Sequence, residues 1–145
     1  MSLNFIILRF FGLGNLPYAP GTFTSLAVLC IWYFIPNVFY IQLLILLIIL
    51  LSGFYLCYKY YLNGSSIKDP SYIVIDEVAG MMISLFLIPK TIPAYFLAFI
   101  LFRLLDIFKP SIIFRSQNIN FGIGIMLDDI IAGIITLFII LGVYI

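Results

Sequence analysis

Two acidic pairs, Asp76-Glu77 and Asp128-Asp129, carry most of the chemical interest of this 145-residue sequence, and each is followed a few residues later by Ala-Gly inside an apolar run. A carboxylate at the edge of hydrocarbon is expensive and is seldom kept without a partner or a task. On a helix, Glu77 lies one turn before Gly80 and Asp129 one turn before Gly133, so small residues would let neighbouring backbones approach on the acidic face. Asp76, Glu77, Asp128 and Asp129, with Asp106 nearby, form an oxygen-rich set suited to Mg²⁺, which favours oxygen ligands and keeps several waters. Acids in a first helical turn also complement the helix dipole. That reading accounts for one pair better than for two pairs and a third acid on one face.

A second group is Arg103, Asp106 and Lys109, which recur every three residues and project the same way from a helix. Such a face could hold a phosphate between Arg103 and Lys109 while Asp106 orients a base or reaches a metal. The alternative is an Arg103 to Asp106 ion pair, with Lys109 reaching to lipid headgroups. A third feature is the loop Gly12 to Thr22, rich in Gly and Pro and running into an apolar segment. Backbone N–H groups at a helix start, with Gly21 permitting close approach and Thr22 or Ser25 adding a hydroxyl, suit an anion; a capped turn is the plainer reading. Asp69-Pro70-Ser71 is first a turn signal, although Asp69 could approach the same site.

The sequence has no His, which excludes His-dependent phosphatase chemistry and His-ligated metals and puts the burden on carboxylates. Cys30 and Cys57 have no C-x-x-C spacing and are expected to be buried small hydrophobes. With 65% hydrophobic, 18% aromatic and 9% charged residues, the composition is that of an integral membrane protein rather than a soluble domain. The net charge of +1 says little about partners, but the lack of a basic run or basic-aromatic stripe sets a nucleic-acid partner aside.

Five apolar segments must position these residues. They run over 22–35, 39–58, 73–88, 93–108 and from about 124 to the C-terminus, bounded by Pro36, Lys59, Pro89 and Pro110. Of the first two, only the second has the roughly 20 residues that cross a bilayer core comfortably. Lipid leaves no water for unsatisfied backbone groups, and the chain is too short to close a barrel. The expectation is one all-α domain over 1–145: a membrane bundle of about five helices preceded by a short interfacial helix within 1–11. Alternating crossings gather twelve of the thirteen charges at one face, Lys90 alone lying opposite. The positive-inside tendency then puts that face in the cytoplasm and the C-terminus outside.

Four segments in order resemble the phosphatidylglycerophosphatase A family: Pro17-Tyr18-Ala19-Pro20-Gly21-Thr22; Asp69-Pro70-Ser71 leading to Asp76-Glu77 and Gly80; Phe102-Arg103, Asp106-Ile107 and Lys109-Pro110; and Gly124 to Asp129 with Ala132-Gly133. The resemblance runs from Gly12 to Gly133. It departs from the family's usual pattern at Thr24, Ile112 and Phe121. It implies a Mg²⁺-dependent lipid phosphatase that converts phosphatidylglycerophosphate to phosphatidylglycerol at the cytoplasmic face of a bacterial inner membrane. On that reading Asp76, Glu77, Asp128 and Asp129 hold the metal, while Arg103, Lys109, Gly21 and Thr22 bind the substrate. Asp76, Glu77, Arg103, Asp106 and Asp129 carry the catalysis, and either a water activated by a carboxylate or an Asp itself attacks phosphorus. Two other classes use membrane carboxylates. A CDP-alcohol-type phosphatidyl transferase would need a spaced Asp-Gly, Ala-Arg, Gly and double-Asp pattern that is absent, and an ion-coupled transporter would need acids near mid-membrane and paths to both faces, whereas the outer side offers only Lys90.

Overall fold

The computed structural model describes residues 3–63, 70–116, 119 and 122–144. Among them every regular element is helical: α1 (Leu3–Leu8), a 3₁₀ segment (Phe10–Asn15), α2 (Pro20–Phe34), α3 (Phe39–Leu62), α4 (Ile75–Ser84), α5 (Ile92–Phe108), α6 (Ser111–Ser116) and α7 (Ile123–Tyr144). The expected all-α class holds, and each of the five apolar segments contains one long or central helix. The segment expected over 73–88 is helical only from Ile75 to Ser84. The helix α6 and the 3₁₀ segment had no counterpart in the sequence reading, because a short helix offers too few turns for a periodic signal.

Local chemistry sets the ends. Pro20 opens α2, where a missing N–H costs nothing. Thr91 caps α5, its Oγ1 accepting from the Ala94 N–H at 3.4 Å. Lys109 ends α5 in a left-handed conformation (φ 42°), its N–H donating to the Leu105 carbonyl at 2.9 Å immediately before Pro110.

The shortest of these five helices lies at the centre. In α4 every residue except Glu77 is buried, and the helix packs against α2, α3, α5 and α7. Its tightest crossing is with α7, at a pair of glycines: a Cβ on Gly133 would come within 2.5 Å of the Gly80 carbonyl oxygen, and one on Gly80 within 2.6 Å of the Asp129 carbonyl oxygen. Small residues here let two backbones touch, the packing favoured where lipid removes a hydrophobic drive between helices.

Outside this core the long helices expose large apolar side chains, among them Leu44, Ile48 and Leu51 of α3, Phe96 of α5 and Phe138 of α7. Among the described residues two helices, Phe39–Leu62 and Ile123–Tyr144, are long and apolar enough to cross a membrane. At 1.5 Å per residue they span about 36 and 33 Å, against a hydrocarbon core of about 30 Å. Cys57 is buried as expected, whereas Cys30 is exposed on α2, a position that helix phase rather than composition decides.

Candidate active site

The N-terminal turn of α4 begins where the chain is pinned from outside the helix, the Val74 N–H donating to the Leu8 carbonyl at 2.9 Å. That turn presents Asp76 and Glu77 toward α7, whose phase is fixed by the Gly80–Gly133 crossing and which brings Asp129 to meet them. One carboxylate oxygen from each of Asp76, Glu77 and Asp129 lies within 4.8 Å of the other two. Asp76 is 6% exposed and Asp129 2%. Asp76 Oδ1, Glu77 Oε2 and both oxygens of Asp129 are inaccessible and have no hydrogen-bond partner among the described residues.

Three carboxylates this close and largely out of water repel one another unless a cation or protons intervene. A buried acceptor with no partner also forfeits its hydration, at a cost of about 1–3 kcal/mol each and more when charged. Orphaned oxygens converging from two helices are the donor set of a hard divalent cation such as Mg²⁺. The residues therefore fit the metal.

Asp128, the fourth acid of the expected ligand set, lies outside this trio and turns a different way. Its Oδ2 accepts from Lys109 Nζ at 2.7 Å. Adjacent helical residues are about 100° apart, so only one of the two Asp side chains can face α4. The sequence held the signal: Asp129, not Asp128, stands one full turn before Gly133.

Arg103 reaches the cluster from α5. Its Nη1 is 2.5 Å from Asp106 Oδ2, so the intrahelical ion pair forms, and its Nε is buried without a hydrogen-bond partner. The start of α2 closes over the same groups. A Cβ on Gly21 would collide with Glu77 Oε1 and lie 3.2 Å from Arg103 Nη1. Only glycine lets the backbone come this near a carboxylate and a guanidinium together, and that proximity is what the loop pattern could not state. Thr22 is half-buried in the same turn, and its N–H donates to the Ala19 carbonyl at 3.0 Å. The nearby Thr24 is fully buried, with Oγ1 unpartnered, and Ser25 Oγ donates to the Gly21 carbonyl at 2.9 Å. Asp76, Glu77, Asp129, Arg103, Asp106 and Gly21 are thus brought together by α2, α4, α5 and α7. Lys68, Asp69 and Phe121 lie outside the described residues.

The family model described as Phosphatidylglycerophosphatase A matches residues 6–144. The chain is 38% identical over 131 residues to Phosphatidylglycerophosphatase A of Escherichia coli, an alignment covering 87% of this chain and 74% of that protein. It is 36% identical to the protein of the same name from Haemophilus influenzae, covering 86% and 78% of the two chains. A Bacteroides thetaiotaomicron protein provisionally named a phosphatidylinositol-3-phosphatase is 34% identical, covering 86% and 82%. No solved structure matches the chain.

Proposed function

The chain belongs to the phosphatidylglycerophosphatase A family, and from that premise we propose that it hydrolyses the terminal phosphate monoester of phosphatidylglycerophosphate, releasing phosphatidylglycerol and inorganic phosphate. The observation that carries this reading is the trio Asp76, Glu77 and Asp129, whose oxygens converge within 4.8 Å beside a guanidinium.

Asp76, Glu77 and Asp129 would hold Mg²⁺, which when bound offsets charge on a phosphoryl group. Arg103 donates from its buried Nε to a phosphoryl oxygen, and Asp106 fixes the plane of the guanidinium from the other side. Lys109, tethered to Asp128, keeps a second positive charge at the mouth of the site. A carboxylate of the trio either accepts the proton of the attacking water or attacks phosphorus itself. Gly21 allows the start of α2 to shut bulk water out of this space.

We also read the molecule as a bundle of about five helices in a bacterial inner membrane, its charged end at the cytoplasmic leaflet. The exposed apolar faces of α3, α5 and α7 and the basic residues at that end support this placement. A site at helix ends suits a lipid: the acyl chains stay in the bilayer while only the headgroup enters.

The test is phosphate release by detergent-solubilised protein from phosphatidylglycerophosphate, with and without Mg²⁺, alongside a 3-phosphorylated phosphatidylinositol. Release from phosphatidylglycerophosphate only with Mg²⁺ is expected. No release from it, or release unaffected by chelation, contradicts the reading.

A further inference from the structure

One cation at the charged end, Arg9, has no carboxylate partner among the described residues. The Arg9 guanidinium lies over two rings, 4.7 Å from the centroid of Tyr72 and 5.1 Å from that of Phe5. Its Nη1 donates to Asn15 Oδ1 at 2.6 Å, and its Nε is buried with no hydrogen-bond partner. Tyr72 is in turn held by its hydroxyl, which donates to the Tyr60 hydroxyl at 3.1 Å. Among the described residues, Arg103 and Lys109 each pair with a carboxylate, while the partners of Arg9 are neutral. A planar donor held within reach of two rings, with a neutral amide where an acid would form an ion pair, is preorganised for an incoming anion.

Its place in the fold says which anion. The Leu8 carbonyl accepts from the Val74 N–H at 2.9 Å, so Arg9 follows the residue that pins the start of α4. Gly14 also sits against both the Tyr72 carbonyl and the Arg9 Cα, tying the 3₁₀ segment to the same point. From Val74 to Asp76 is two residues, at most about 7 Å of chain. Resting on the proposed reaction, the substrate carries two phosphates one glycerol unit apart: the terminal monoester, and the phosphodiester joining glycerol to the lipid. A monoester at the carboxylate trio leaves the phosphodiester one glycerol unit away, and the junction that carries Arg9 is joined by backbone to the same first turn of α4.

We infer that Arg9 binds this phosphodiester and so selects lipids whose monoester is separated from the diacylglycerol by a second phosphate. It is a specificity-determining residue that never touches the reacting atoms. A purely structural Arg9, bracing α1 against Tyr72, makes the opposite prediction for its neighbour. Asn15→Asp would then add an ion pair at 2.6 Å and leave substrate handling unaltered. If Arg9 receives an anion, the same substitution fills its binding edge with an internal carboxylate and weakens the lipid.

The experiment measures kcat and KM for phosphatidylglycerophosphate, and the affinity for phosphatidylglycerol, which keeps the phosphodiester and lacks the monoester. Wild type, Arg9→Gln and Asn15→Asp are compared in matched detergent micelles. Loss of one charge-assisted contact should raise KM and weaken phosphatidylglycerol about 10-fold or more in both variants, with the loss falling on KM rather than kcat. Unchanged KM and affinity in Asn15→Asp, or a fall in kcat alone, overturns the inference. Arg9→Gln alone could disturb folding; Asn15→Asp retains Arg9 and its ring contacts, and decides the matter if Arg9→Gln cannot be purified. Phosphatidylglycerol binding needs no turnover. Failure of wild type to release phosphate would therefore strike the proposed reaction, while unaltered binding in the variants would strike Arg9.

Discussion

The two ends of the bundle use their polar groups in opposite ways. At the end opposite the acids, Lys90 Nζ donates to the Tyr33 carbonyl at 2.8 Å and to the Ile35 carbonyl, closing the C-terminus of α2. Trp32 Nε1 donates to the Leu85 carbonyl at 3.2 Å. Gln42 accepts from the Leu87 N–H and donates to Asn37 Oδ1, joining the start of α3 to the turn after α4. Each of these side chains satisfies a loop or helix end left open by the fold. At the acidic end, Asp76, Glu77 and Asp129 do the reverse: they bring oxygens into the interior and, among the described residues, leave them without donors. The first arrangement lowers the free energy of the folded chain. The second raises it, and on the proposed reading a bound cation and substrate would complete it.

Substitutions should therefore separate the ends by what they damage. The largest effect is expected from Asp129→Asn, which removes a proposed metal ligand: phosphate release should fall about 10²- to 10³-fold or more, as when a principal electrostatic group is lost from an active site. The melting temperature without metal should hold or rise, because one of three crowded acids is gone. A large fall in stability with modest loss of activity would put the acidic end in the same class as the other.

Next is Gly133→Ala, which joins the two kinds of damage. Its Cβ would meet the Gly80 backbone at 2.5 Å, so α7 must shift, carrying Asp129 with it. Overpacking of this kind costs about 1–3 kcal/mol, and thermal unfolding and turnover should both decline. Normal turnover would mean that the crossing does not set the geometry of the trio.

Arg103→Lys keeps the charge and loses the planar fork, for a fall in kcat of about 10-fold. A wild-type rate would leave Arg103 as the partner of Asp106 and nothing more. The smallest effect is expected at the far end, where Lys90→Met should lower stability by about 1 kcal/mol through two lost hydrogen bonds while kcat and KM stay at wild-type values.

Much of this contrast is legible in the sequence, for a physical reason. Charge is so costly in an apolar chain that its location along the helices marks one end as chemical, and Gly80 and Gly133 mark which face of α4 and α7 is close-packed. What the sequence does not yield is the choice between neighbours and the contacts between loops. Asp128 and Asp129 look equivalent until the phase of α7 is known, and Asp128 then belongs with Lys109. Gly21 reads as a turn residue until its backbone is seen against Glu77 and Arg103. Arg9 reads as one more basic residue near the N-terminus, since its ring partner Tyr72 is more than sixty positions away.

The central claim is that Asp76, Glu77 and Asp129 form one cation site, and its most direct test is a binding measurement independent of turnover. Mn²⁺ titrated into the detergent-solubilised protein and followed by electron paramagnetic resonance, with Mg²⁺ as competitor, should report a bound ion in the wild type that Mg²⁺ displaces. Binding should be lost in Asp129→Asn and in Glu77→Gln while circular dichroism stays unchanged. Equal Mn²⁺ affinity in the wild type and both variants would contradict the account.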